Sequence, residues 1–293
     1  MSAGAIDTLL MLQKHAKIFG LADNHGVGEN LHDHIAVPIA TIGNVTDKRL
    51  RELMFPVFRP NGFSIRQFGL LRDAAEPSCG LLRFIPMLDE VSPYKEFKEV
   101  FALRQKGASP LIVAKSAAST VSKLPLLARI GYERYANKQL YISKRLPVQA
   151  LLVFETADNA QNLTRMTSDQ KASINWRLNS TDELTFERLL DRAHILLDEF
   201  TATYGIKVDW NAKLKTSPER RAFLHEESMD AFHLGGGIRY GGVIDHRLRL
   251  TSTQNVSVIS TAVLQRPGLP NPTLTLLALA HRCAEQIAGA TSG

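Results

Sequence analysis

The segment from residue 231 to residue 245, Ala-Phe-His-Leu-Gly-Gly-Gly-Ile-Arg-Tyr-Gly-Gly-Val-Ile-Asp, constrains this chain more than any other. Glycine carries no Cβ, so backbone at Gly235, Gly236 and Gly237 can come close to a flat ligand. The run is not a dinucleotide-binding fingerprint: it lacks the third glycine at the required offset and follows a polar segment rather than a strand. His233 stands directly before it. A neutral imidazole beside bare backbone is placed to act as a general base, and the competing reading is a hydrogen-bonded structural histidine.

The helix signals are clear elsewhere. Ser180-Thr-Asp-Glu183 has the form of a capping box, and Phe186, Leu189, Ala193, Leu196 and Phe200 follow as one apolar stripe. His194 beside that stripe reads as structural. Tyr204-Gly205 marks a turn. Near the start, Ala3-Gly4-Ala5 is a small-residue turn leading into helical spacing at Ile6, Leu9, Leu10 and Gln13. Strands are expected at 35–42, 151–155, 174–178, 247–251 and 256–259, the first being rich in β-branched residues. Prolines and glycines between 46 and 110 favour short strands and turns there.

Composition excludes several classes. Apolar residues make 44% and charged residues 22% of the 293, which is globular rather than disordered or fibrous. Cys79 and Cys283 have no metal or redox spacing and argue against a disulfide scaffold. The net charge of +6 is mild and carries no nucleic-acid signature. Neither a leader-like start nor an apolar run of membrane-spanning length occurs, which by default points to the cytoplasm. Residues 111–146 hold seven Lys/Arg against one acid, Glu133. Such a stretch suits a membrane surface or an anionic partner, but an exposed basic loop or helix over a cleft is the favoured reading.

Two further segments carry chemistry. Asn271-Pro272 opens the last helix with an N-cap residue and a proline at the first helical position. That same helix start presents free amides and partial positive charge to an anion. The loop Gly26-Val-Gly-Glu-Asn-Leu-His-Asp-His34 suggests metal ligation through His32, Asp33 and His34. Adjacent strand residues point to opposite faces, so no metal is expected. Asp33 and Asn30 are read instead as fixing the loop through backbone hydrogen bonds.

Together these segments resemble the glucose–methanol–choline (GMC) family of flavin-dependent oxidoreductases. The resemblance rests on Ala3-Gly-Ala-Ile-Asp-Thr8, on the 26–34 loop, on His233-Leu-Gly-Gly-Gly-Ile-Arg with Val243-Ile-Asp245, and on Asn271-Pro-Thr-Leu-Thr275. It implies FAD as cofactor and a small-molecule alcohol or sugar as substrate, with hydride passing from the carbinol carbon to the flavin. His233 falls on the catalytic base and Asn271 on its partner. Cofactor contacts fall on Ser260, Thr261, Asn271 and Thr273. The implied fold is α+β: an antiparallel-sheet substrate domain over 36–230, with 1–35 and 231–293 as parts of the FAD domain. The chain departs from the family at Ser260-Thr-Ala262, at Leu264–Pro270 with its Arg266, and in lacking the N-terminal βαβ half. The absent half leaves open a truncated or split remnant acting as a binding module, or one subunit whose partner chain supplies the dinucleotide-binding half.

Overall fold

The computed structural model describes residues 4–21, 26–58, 64–65, 69–72, 79–87, 124–142, 147–169, 171–230, 233–253, 255–266, 268–269 and 272–291, with a few positions between 100 and 115. Helix α1 (Ala5–Lys14) leads to two consecutive strands, β1 (Glu29–His32) and β2 (His34–Gly43), separated only by Asp33. Then come α2 (Lys48–Met54), β3 (Val57–Phe58), β4 (Ser64–Ile65), β5 (Gly69–Arg72), β6 (Cys79–Pro86) and α3 (Leu124–Tyr135). Strands β7 (Val148–Glu155), β8 (Leu163–Met166) and β9 (Ala172–Asn175) precede the long helix α4 (Ser180–Tyr204). The remainder is β10 (Lys207–Trp210), α5 (Ser217–Glu227), β11 (Met229–Asp230), β12 (Gly235–Gly237) and α6 (Thr273–Thr291).

Paired strands are antiparallel throughout, so the fold is α+β as expected. The main sheet has the order β10-β2-β7-β6-β5, with β11 also paired to β2. Its two central strands are apolar nearly end to end and buried on both faces, the pattern of a covered sheet. Pro38 donates no ladder hydrogen bond, and the β2–β7 register slips between Pro38 and Ala40. Helix α4 covers one face with Phe186, Leu189, Leu190, Ala193 and Leu197 fully buried. Leu196 and Phe200 flank this stripe, half-buried against the same core. The box that caps α4 lies one residue earlier than the sequence suggests. Asn179 accepts from the Asp182 amide at 3.0 Å, and Asp182 takes the Asn179 amide at 2.8 Å. The other Asp182 oxygen takes the Ala157 amide at 2.6 Å, and that tertiary contact fixes the register. Gly205 closes the helix at φ 64° in the left-handed region. The ring of His194 stacks on Trp210 with centroids 3.6 Å apart, the structural use expected of it.

A second sheet, β12-β1-β8-β9, lies under α1. Its core gathers Leu9, Leu12, Val27 and Leu31 with Ile238, Ile244, Leu248, Leu250, Val258 and Val263. The buried face of α1 is Ala5, Thr8, Leu9 and Leu12. Gln13 joins by hydrogen bonding rather than packing: its amide reaches the Val27 and Thr164 carbonyls at 2.8 Å and the Met166 amide at 2.8 Å. Residues 163–175 therefore belong to this smaller sheet, although they fall inside the 36–230 stretch. The strand expected over 174–178 ends at Asn175, because Asn162 Oδ1 captures the Arg177 amide at 2.7 Å. Strands expected at 247–251 and 256–259 shrink to isolated bridges, Ile244–Leu250 and Arg249–Ser257. Leu248 is buried at φ 63°, and Asp245 folds the turn by accepting the Arg247 and Arg249 amides. Helix α3, from the basic stretch, buries no residue. On α6, Leu274, Leu277 and Ile287 are exposed.

Candidate active site

The two sheets force three chemistry-bearing residues together. Strands β1 and β2 are consecutive, each in a different sheet, with Asp33 at the crossing. On the opposing segment β11 pairs with β2 at Asp230–Ile35, and β12 pairs with β1 at His32–Gly235. His233, which lies in sequence between these two pairings, is thereby brought beside Asp33. Asp33 is locked by reciprocal bonds with Thr156: its carbonyl takes the Thr156 amide at 2.9 Å and its amide donates to Oγ1 at 3.1 Å.

Asp33 Oδ1 then accepts two amides, that of His34 at 2.6 Å and that of His233 at 2.9 Å. This one oxygen sets the separation of the two histidine backbones. Their rings meet edge to face, with centroids 5.2 Å apart and Nδ1 to Nδ1 at 3.1 Å. Burial lowers the proton affinity of both rings. His233 is pushed further down by Arg83 against an opposing pull from Asp230, and His34 is pushed down by His233. Both are neutral near pH 7. The carboxyl of Asp33 is pushed up to about 7, first by burial and then by the Asp230 carboxyl, with which it shares a hydrogen bond.

The glycine triplet is used internally as well as at the surface. A Cβ on Gly236 would meet the Asn30 carbonyl at 2.4 Å and the His32 ring at 2.9 Å, and one on Gly237 would meet Leu9 at 2.6 Å. Both glycines also have positive φ, 78° and 93°. The close approach expected for a ligand is thus realised on one side by β1 and α1. The other side of Gly236 and Gly237 lines a cavity of about 230 Å³ with Asn30, Glu29, Asp158, Ile238, Arg239 and Gln265. Asn30 was expected to fix its loop, but its amide nitrogen is buried without a hydrogen-bond partner. His32 Nε2 is likewise unpartnered, and burial pulls its pKa down to about 4. His32 packs on Gly235 and Gly236 while His34 pairs with His233, so the adjacent histidines serve different neighbours. Among the described residues no group of three or more His, Cys, Asp or Glu is placed to hold a metal.

Of the expected cofactor residues, Ser260 is fully buried and its hydroxyl oxygen caps the 3₁₀ turn Thr261–Val263 by accepting the Ala262 amide at 3.3 Å. That leaves half-buried Thr261 as the surface of this step. Thr273 is exposed at the start of α6, where the Leu276 amide reaches the Pro272 carbonyl. Asn271 lies outside the described residues. The Gly268 backbone, three positions before it, lies against His34 and Glu155. His34 joins this site beside His233; in the sequence it stands only as the last residue of the 26–34 loop, because its partner lies 199 positions away.

Residues 160–280 match the C-terminal domain model of the GMC oxidoreductases. Over those residues the chain is similar to the GMC oxidoreductases. Its fold is shared with pyridoxine 4-oxidase from Mesorbium loti (TM-score 0.53, 15% identity, 97% of this chain and 50% of that one). It is shared equally with a FAD-dependent oxidoreductase from Chaetomium thermophilum (TM-score 0.51, 15% identity, 99% and 55%). A stretch of 64 residues is 39% identical to the Drosophila melanogaster neither inactivation nor afterpotential protein G, covering 22% of this chain and 11% of that protein. The chain spans about half the length of the solved structures it matches.

Proposed function

We propose that this chain serves FAD-dependent oxidation of a CH–OH group on a small alcohol or sugar, with His233 as the general base. The observation that carries the reading is a half-buried, neutral His233 whose Nδ1 is engaged by His34, leaving Nε2 as the ring nitrogen for a ligand. The donor set beside it suits the cofactor. An unpartnered Asn30 amide, the Gly236–Gly237 backbone and Arg239 offer donors to an oxygen-rich group, while Glu29 and Asp158 on the same cavity offer acceptors to its hydroxyl and N–H groups. The cavity is smaller than the roughly 300–1,000 Å³ of whole small-molecule sites, so these residues hold one edge of the flavin. Thr261, Thr273 and Asn271 would extend that grip, with Ser260 supporting Thr261 from behind. Segments 1–35 and 231–293, joined by β8 and β9, form the cofactor-facing part, and the rest of 36–230 the substrate-facing part.

When bound, FAD supplies the hydride acceptor. The protein's own work is proton handling. His233 Nε2 takes the hydroxyl proton as the C–H bond breaks, and Asp33 holds the imidazole in place through the His233 amide. Asn271 orients the substrate oxygen, and the α6 N-terminus favours negative charge placed before it. In a complete, flavin-loaded assembly, His233→Ala should lower turnover by about 10²–10⁴, the usual contribution of a general base. Unchanged turnover would remove His233 from the mechanism. Flavin absorbance retained by the chain after gel filtration with FAD would show that it grips the cofactor alone. Retention only after a chain carrying the βαβ half is added would make it one subunit of two.

A further inference from the structure

From the Nδ1–Nδ1 contact we infer that His34 is a positioning residue that sets the tautomer of His233 and receives the hydrogen bond that its protonated form must donate. The inference rests on the reading of His233 as a base, but its central claim concerns a proton position that can be observed without turnover.

Two nitrogens 3.1 Å apart form a hydrogen bond only if one bears hydrogen and the other a lone pair. Both rings are held neutral by burial, so one proton lies between them. If His34 were the donor, His233 would carry its own hydrogen on Nε2 and could accept nothing there. With His233 Nδ1–H donating to His34 Nδ1, His233 Nε2 holds the lone pair, and the hydrogen of His34 sits on Nε2, which is buried near the Gly268 backbone without a hydrogen-bond partner of its own. When Nε2 of His233 takes a proton, no hydrogen has to leave Nδ1. The existing bond becomes charge-assisted, and such bonds are about twice as strong as neutral ones.

The arrangement is built rather than incidental. Asp33 Oδ1 grips the amides of both histidines, so their backbones cannot separate without breaking bonds of 2.6 and 2.9 Å. His34 is enclosed to 1% exposure at the start of β2. The charged groups facing the pair are Arg83 and Asp230 on the His233 side, with Asp33 shared between them.

The test uses the 293-residue chain labelled with ¹⁵N-histidine. Long-range proton–nitrogen correlation near neutral pH should show His233 as the Nδ1–H tautomer, the minor form of a free imidazole. His34→Phe keeps the site apolar but removes the acceptor. It should shift His233 towards the Nε2–H form and lower its pKa by about one unit, a tenfold loss in proton affinity. His34→Asn places an amide oxygen near the former Nδ1 position and should restore the Nδ1–H form. Native His233 found as Nε2–H, or unchanged in both variants, overturns the proposal. If His34→Phe does not fold, the native tautomer and the His34→Asn chain still decide it. Loss of the base role in the His233→Ala assay would leave the tautomer assignment standing, so the two readings fail separately.

Discussion

Asp33 and His32 pull stability in opposite directions as pH falls. The Asp33 carboxyl rises from 3.8 to about 7 on folding, so the native state binds its proton more tightly than the unfolded chain. That contribution is complete below about 3.8 and disappears as pH rises through about 7. His32 drops from 6.5 to about 4, so its contribution is present above 6.5 and is lost as pH falls towards 4. His34 and His233 act in the same direction as His32. Asp33→Asn is the informative substitution, because an amide imitates the protonated acid. Its oxygen can still accept the two histidine amides and its nitrogen can donate to Asp230. We expect Asp33→Asn to hold its urea midpoint near pH 7 but to lose more stability than the native chain on acidification to about pH 4.5. Asp33→Ala orphans both amides and should cost about 2–4 kcal/mol at either pH. A midpoint for Asp33→Asn that tracks the native chain at both values would remove Asp33 as the opposing group. None of this could be read from the sequence. Asp33 was recognisable as a loop-fixing residue, but its partner His233 lies 200 positions away.

At the scale of elements, the local signals were legible and the distant ones were not. Helix α4 showed in its stripe and its terminal Gly205, because periodicity and capping are properties of neighbouring residues. Its exact start was not legible. Both Asn179–Asp182 and Ser180–Glu183 satisfy the same spacing, and the Ala157 amide on Asp182 chooses between them. The glycine triplet was recognised as a place of close approach, but what approaches was not: Asn30, His32 and Leu9 come from other elements. A contrast within the same segment follows. Gly236→Ala would drive its Cβ into a backbone carbonyl of β1, and Gly237→Ala would collide with Leu9. Each should cost about 2–4 kcal/mol, from backbone strain together with overpacking. Gly241 also has positive φ, 79°, but its Cβ would meet nothing within 4 Å. Gly241→Ala should therefore cost only about 1 kcal/mol. Equal losses at 237 and 241, measured by urea denaturation, would show that conformation alone decides and that the packing of α1 on β12 contributes nothing.

The whole molecule has two main cores, one between the large sheet and α4 and one between the small sheet and α1. The site lies where the chain passes between them at Asp33 and again near His233, so the geometry of the His34–His233 pair depends on how rigidly the cores are coupled. Trp176 is the side chain that packs against both. The chain has only two tryptophans, and the other, Trp210, sits on the large sheet against His194. Their fluorescence can therefore follow the joint and the first core separately. In Trp210→Phe, Trp176 fluorescence and far-UV circular dichroism should unfold at one urea midpoint, because a joint that couples the cores melts with both. Trp176→Ala removes the bridging ring and should cost about 3 kcal/mol, the low end for a tryptophan in a core. It should also separate the transitions, with Trp210 reporting a later midpoint than the ellipticity. If Trp176→Ala kept a single transition and lost less than about 1 kcal/mol, the coupling would reside instead in the Asp33 crossing. The Asp33→Ala chain would then be the one whose two cores unfold apart.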